Sequence, residues 1–265
     1  MPKIKVNDIN MYYEIHGNGE PLVFISGFSA DHTAWRTVIN DFKNQYQVII
    51  FDNRGAGQTD APEGPYSIEQ MAEDVVALCQ HLNIAQAHFV GNSMGGYILQ
   101  MLAYRHAHLV KSATICNSTV LTQTCFHFFV EAQLELIKSN APPTAVIKAS
   151  CAWVFSFQFL MQEGILPGLI ALGLSNPYPF TVTGYQGQFA ALKGFDSRSW
   201  ISEVTVPTLV IGSDQDLIFS EASIKLLADG IPKAQYHSFK HCGHLPHIEY
   251  PRQFEQRVKE FLLAL

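Results

Sequence analysis

The chain has 265 residues, 48% of them hydrophobic and 15% charged, with a formal net charge of −6. This is ample core material for one domain with an insertion, and the acidic balance excludes a basic nucleic-acid footprint. Five irregularly spaced cysteines suggest neither a disulfide framework nor a zinc motif and favour a reducing, cytoplasmic setting; Met1–Asp8 lacks a signal-like apolar stretch, and Ile165–Leu174, interrupted by Pro167, Gly168 and Gly173, is far short of the roughly 20 residues of a membrane span.

In chain order, Lys3–Val6 and Met11–Ile15 alternate and read as an opening antiparallel pair. Leu22–Ile25 and Val48–Phe51 are continuous apolar runs, as buried strands require. Ser67 is a helix N-cap with Gln70 at the third helical position, ahead of an amphipathic helix over Met71–Leu82. His88–Val90 reads as a strand, Tyr97–Ala103 as a helix and Ala113–Cys116 as a further strand. Residues 120–197 break this rhythm: helices are expected around Cys125–Lys138, Thr144–Val154, Ile165–Leu174 and Thr181–Leu192, with proline joints and no strand between them. Leu209–Ile211, the helix Glu221–Ala228 capped by Ser220, the strand Gln235–Phe239 and a last helix Gln253–Leu263 complete the chain. Strands alternating with helices imply an α/β fold with a mostly parallel eight-stranded sheet covered on both faces. The core is expected over residues 1–119 and 198–265, with 120–197 as an inserted helical cap.

The chemistry centres on Ser93. It sits in Gly91-Asn92-Ser93-Met94-Gly95-Gly96, between a strand and a helix. A serine on so sharp a turn needs small neighbours, because the chain crowds itself there. A serine nucleophile also needs a base, and the base an orienting acid. Downstream, Gly212-Ser213-Asp214-Gln215-Asp216 follows a strand, and His241-Cys242-Gly243-His244-Leu245-Pro246-His247 follows the last one. Asp216 is favoured as the acid because it lies just ahead of a capped helix, while Asp214 suits bonding to its own turn. His244, following a glycine, is favoured as the base, with His241 and His247 as loop or helix-start residues. A metal reading of the three histidines lacks a supporting carboxylate or cysteine set.

With these residues in hand, the chain resembles the α/β-hydrolase fold superfamily over nearly its whole length. Leu22–Phe28 resembles the strand and oxyanion loop, Asp52-Asn53-Arg54-Gly55-Ala56-Gly57-Gln58-Thr59 resembles the family's D-x-R-G-x-G-x-S turn, and the Ser93 elbow, the Asp216 loop and Gly243-His244-Leu245-Pro246 complete the likeness. The resemblance implies a catalytic Ser93, Asp216 and His244, with the backbone N–H groups of Phe28 and Met94 as the oxyanion hole. Ser26 departs from the family's usual histidine and implies a different bracing of that loop. Arg54 is expected to brace neighbouring loops rather than to contact substrate, and Arg198 to lie on the surface.

The expected function is therefore hydrolysis of small to medium carboxylic esters or lactones with an apolar acyl part, through an acyl-enzyme and without cofactor or metal. Gly64–Ile68 and the following helix look similar to 3-oxoadipate enol-lactonases and to esterases of pimeloyl-carrier-protein methyl esters. The elbow is also like that of C–C hydrolases, against which Leu245 counts. Cofactor-free haloperoxidases share the same triad, and a ligand receptor with an intact triad is a further alternative. The cap carries few charges and many aromatic rings, and Trp153 and Phe157 are chosen as its pocket-lining residues.

Overall fold

The computed structural model describes residues 3–265. An antiparallel pair, β1 (Lys3–Val6) and β2 (Ile9–His16), leads into β3 (Glu20–Ile25), α1 (Arg36–Phe42), β4 (Tyr46–Phe51), α2 (Ile68–His81), β5 (Ala87–Asn92), α3 (Met94–Arg105) and β6 (Val110–Cys116). A helical insertion follows: α4 (Thr124–Lys138), α5 (Pro143–Val154), α6 (Phe157–Leu160), α7 (Ile165–Ser175) and α8 (Val182–Gly194). The core resumes with β7 (Thr208–Ser213), α9 (Glu221–Gly230), β8 (Gln235–Phe239), α10 (Pro246–Glu249) and α11 (Pro251–Leu263). The eight strands form one sheet in the order β1-β2-β4-β3-β5-β6-β7-β8. From β4 onward every pairing is parallel, while β2 meets both β1 and β4 antiparallel.

The period of two along the strands divides the core between the two faces. Val23 and Ile25 of β3 join Ile49 and Phe51 of β4 on the face covered by α2, α3 and α9. Leu22 and Phe24 join Val48 and Ile50 on the other face, where Trp35, Phe42 and the α11 stripe Phe254, Val258, Phe261 and Leu262 pack. The Ser67 hydroxyl accepts from Gln70 N at 3.0 Å, so the N-cap that opens α2 is in place. Ser220 likewise accepts from Ser223 N ahead of α9.

The insertion is joined unevenly. Phe126 and Val130 of α4 and Tyr185, Phe189 and Leu192 of α8 enter the core cluster. By contrast, α7 buries no residue. Polar tethers add to this seating. Gln188 of α8 accepts from Ser29 N at 2.8 Å and donates to Arg54 O at 2.8 Å. Asn176 donates to Asp31 Oδ2, and Ser156 N donates to Glu249 Oε1. At the closest approach, a Cβ on Gly184 would lie 2.0 Å from Gly55 O, so only glycine allows α8 this near. Among the described residues no helix is long and apolar enough to cross a membrane.

Candidate active site

Ser93 closes β5 and caps α3 with φ 55° and ψ −118°. A non-glycine residue there is strained by about 1–3 kcal/mol, and persists only where its surroundings over-determine it. They do so here. Ser93 N donates to Cys116 O at 2.9 Å, and Ser93 O accepts from Gly96 N at 2.8 Å and from Tyr97 N at 3.3 Å. A Cβ on Gly95 would stand 2.1 Å from Ile25 O, so the small residue lets the turn press against β3. Because α3 begins at Met94, the Met94 N–H belongs to the first helical turn, whose donors have no intrahelical acceptor. Across from it, a Cβ on Gly27 would touch Ser93 Cβ at 3.2 Å, so the Gly27–Phe28 loop runs beside the serine. Ser26 supports that loop by donating its hydroxyl to Asp31 O at 3.2 Å, and Asn53 Nδ2 donates to Ser26 O at 2.9 Å.

The carboxyl ends of β7 and β8 bring Asp216 and His244 together. His244 Nδ1 lies 2.8 Å from Asp216 Oδ2. Both residues are buried. The Asp216 carboxylate is held on all sides: Oδ1 accepts from Ile218 N at 2.8 Å and Phe219 N at 3.0 Å, and Oδ2 also accepts from Asn117 Nδ2 at 2.9 Å. His244 N donates to Val154 O of the insertion at 2.7 Å, and its carbonyl accepts from Asn92 Nδ2 at 3.3 Å. Thus the elbow, the histidine loop and the insertion share one network. Glu249 completes it by accepting from Gly243 N at 3.0 Å and from the Ser156 hydroxyl; its burial raises its pKa.

Asp214, expected to bond its own turn, instead reaches across to accept from Cys242 N at 3.4 Å. His241 is an exposed loop residue with φ 58°. His247 is buried in α10 with its ring centroid 4.4 Å from that of Trp35. Burial, and then the neighbouring His244, push the His247 pKa down to about 3, which leaves its imidazole neutral. Among the described residues one group of three potential metal ligands converges, Asp31, His32 and Asp52. Its carboxylate oxygens already accept hydrogen bonds, partly within the group itself. Asp52 accepts from His32 N, from the His32 ring and from Gln58 N, and Asp31 accepts from Thr33 N and Asn176.

Ser93 and His244 line a cavity of about 160 Å³ under the insertion. That is the room a benzene-sized group occupies. Its walls are mostly apolar, with Phe126, Phe129, Val154, Phe180 and Tyr185 prominent. The two insertion residues chosen from sequence do not line it. Trp153 stacks on Phe129, with ring centroids 4.8 Å apart. Phe157 opens α6 and is 73% exposed. The correction is one of helical phase: Val146, Ser150 and Val154 share the cavity face of α5 at a spacing of four, and Trp153 sits about 100° away from Val154. A helical spacing of three and four along α4 (Phe126, Phe129, Gln133, Ile137) is the signal that marks the wall residues missed from sequence. Trp35 and His247 reach the cavity through tertiary packing that no local pattern announces.

Arg54 is 1% exposed and is not among the residues that line this cavity. Its guanidinium donates to both oxygens of Asp74, at 2.7 and 2.9 Å, and to Asp8. Burial works against its charge, but Asp74 and Asp8 outweigh it and raise the Arg54 pKa. Arg198 is exposed and paired with Asp196.

Residues 20–251 match the family of the alpha/beta hydrolase fold. A Mycobacterium tuberculosis protein that carries the name of a non-heme bromoperoxidase, BpoC, is 30% identical over 97% of this chain and 99% of its own length. The 3-oxoadipate enol-lactonase 1 of Acinetobacter baylyi is 28% identical over 94% of this chain and 90% of its own. The crystal structure of the enol-lactonase from Burkholderia xenovorans superposes with a TM-score of 0.88 at 27% identity, covering 99% of this chain and 100% of that one. With strand order, elbow and full-length likeness in agreement, the chain belongs to the α/β-hydrolase fold family.

Proposed function

We propose that this protein is a serine hydrolase of carboxylic esters or lactones with an apolar acyl part, acting through Ser93, His244 and Asp216. One observation carries the reading: a strained serine at the head of α3 lines the same cavity as a histidine whose far nitrogen is held 2.8 Å from a fully hydrogen-bonded carboxylate.

In this reading Ser93 Oγ attacks the carbonyl carbon and His244 Nε2 takes its proton. Asp216 fixes the tautomer with the proton on Nδ1 and stabilises the imidazolium. Phe28 N–H and Met94 N–H receive the oxyanion, a contribution of about 10²–10³ in rate for each donor. His244 then protonates the leaving alkoxide, and later activates the water that releases the acyl group. Residues 120–197 act as the cap that shapes the acyl pocket and limits water in it. Neither a cofactor nor a metal enters these steps. The small substrate, the lack of a basic nucleic-acid surface and a cytoplasmic setting belong to the same proposal.

The likeness to a protein named as a bromoperoxidase favours one second reading, perhydrolysis at the same serine, in which hydrogen peroxide replaces water in deacylation. Initial rates on p-nitrophenyl esters from acetyl to decanoyl, for the native protein and Ser93→Ala, test the main proposal. A chain-length optimum that vanishes in the variant is expected; equal rates in both proteins would overturn it.

A further inference from the structure

Glu249 ends α10, and its carboxylate returns to the loop that carries His244. Oε1 accepts from Gly243 N at 3.0 Å and from Ser156 N at 3.0 Å, and Oε2 accepts from the Ser156 hydroxyl. Among the described residues neither N–H has a second acceptor. Ser156 is buried between α5 and α6, and it caps α6 by accepting from Phe159 N at 3.3 Å. One carboxylate thus holds both a joint of the insertion and the residue that precedes the base.

The two segments meet without slack. A Cβ on Gly243 would lie 2.6 Å from Ser156 N and 2.7 Å from both Val154 O and Glu249 Oε1, so a side chain there would force them apart. Val154 O accepts from His244 N at 2.7 Å, and Val154 also lines the cavity. Asp216 fixes the His244 ring through Nδ1, but that bond does not fix the main chain of the loop. A displacement of about 1 Å between reacting groups can cost on the order of 10²-fold in rate, so the loop must be held as well as the ring. Glu249 itself is not among the residues that line the cavity, so it acts on the reaction only through its neighbours.

We propose that Glu249 is a positioning residue for the general base: by tying Gly243 N to Ser156, it seats the His244 loop against the insertion and so keeps the imidazole in register with Ser93. The inference rests on the reading of Ser93, His244 and Asp216 as the reacting set. It gives the insertion a part in catalysis beyond enclosing the substrate, because the joint at residues 154–156 supplies the surface on which the base is held.

Three variants test it. Glu249→Ala leaves both N–H groups without their acceptor. Glu249→Gln keeps an oxygen for both and places an amide from which the Ser156 hydroxyl can accept. Ser156→Ala removes only the hydroxyl bond. Glu249→Ala should lower kcat for p-nitrophenyl acetate about 10–100-fold with KM within about threefold of native, and should slow fluorophosphonate labelling of Ser93 to a similar extent. Glu249→Gln should restore both to near native values, and Ser156→Ala should fall between. Hydrogen exchange read by mass spectrometry reports the tie itself: the amides of Gly243 and Ser156 should exchange faster in Glu249→Ala and stay protected in Glu249→Gln. Faster exchange with native kcat would make Glu249 a structural tie only and overturn the inference. So would a Glu249→Gln variant as slow as Glu249→Ala, or a fall in kcat without a change in exchange. Each of these results leaves the hydrolase reading intact, because the native protein remains active. Should Glu249→Ala fail to fold, Ser156→Ala compared with Glu249→Gln decides by the same measurements. A native protein that neither hydrolyses esters nor is labelled at Ser93 would remove the hydrolase reading, and the inference with it.

Discussion

Ser93 holds a backbone conformation that serine ordinarily avoids, and what keeps it there is a set of small neighbours and three backbone hydrogen bonds. This was legible in sequence because glycines at 91, 95 and 96 around a serine have few other uses. The choice of Asp216 over Asp214 rested on a capped helix ahead, and the structure gives the two carboxylates distinct partners: Asp216 meets His244, and Asp214 meets Cys242 N. Asn117, which holds Asp216 through Nδ2, carried no sequence signal because it faces the site only after β6 and β7 pair. Asp216→Asn keeps an oxygen for Ile218 N and Phe219 N but puts an amide where His244 Nδ1–H is received. It should lower kcat about 10⁴-fold with little change in melting temperature. Steady-state kinetics with a thermal melt check this, and a kcat within tenfold of the native value would remove Asp216 from the mechanism.

At the scale of elements, the eight strands and the longer helices were readable because their periods of 2 and 3.6 persist over enough residues. Three short helices, α1, α6 and α10, were not read; runs of four to seven residues, as at Phe157–Leu160, do not establish a period. The abundance of rings in the insertion, which points to Trp153 and Phe157 no more than to their neighbours, does not identify the wall; position along the α5 face decides which side chains meet the cavity. The turn after β4 shows how the elements are held in place. Arg54 joins that turn to α2 through Asp74 and to the β1–β2 turn through Asp8. Removing one member of a buried pair leaves the other uncompensated, at a cost of about 3–5 kcal/mol. Arg54→Met should lose stability in that range by urea unfolding, and Arg54→Met with Asp74→Leu should recover much of it. KM for a short ester should hardly move in the folded variants. A large rise in KM with unchanged stability would mean instead that Arg54 serves the substrate.

For the whole molecule, a hydrolase sheet presents its reactive loops at one edge and the insertion encloses them. His244 N bonds to Val154 O, and Gln188 holds the 26–30 loop through Ser29 N, so the site's two sides are tied to the insertion rather than merely covered by it. The fold class was legible from the order of strands and helices. The shape of the cavity was not, because it depends on how α4, α5 and α8 pack over the sheet edge, and a single chain read linearly records faces but not their meeting. Relatives named for lactone hydrolysis and for bromoperoxidase chemistry share this architecture at 26–30% identity, so the fold alone does not select the substrate. The proposed function requires Ser93 to be a nucleophile activated by His244. Mass spectrometry of the intact protein and its peptides after treatment with a fluorophosphonate tests this most directly. One adduct per chain is expected, mapped to Ser93, absent in Ser93→Ala and formed far more slowly in His244→Ala. No adduct, or an adduct on another residue that forms equally well in Ser93→Ala, would contradict it.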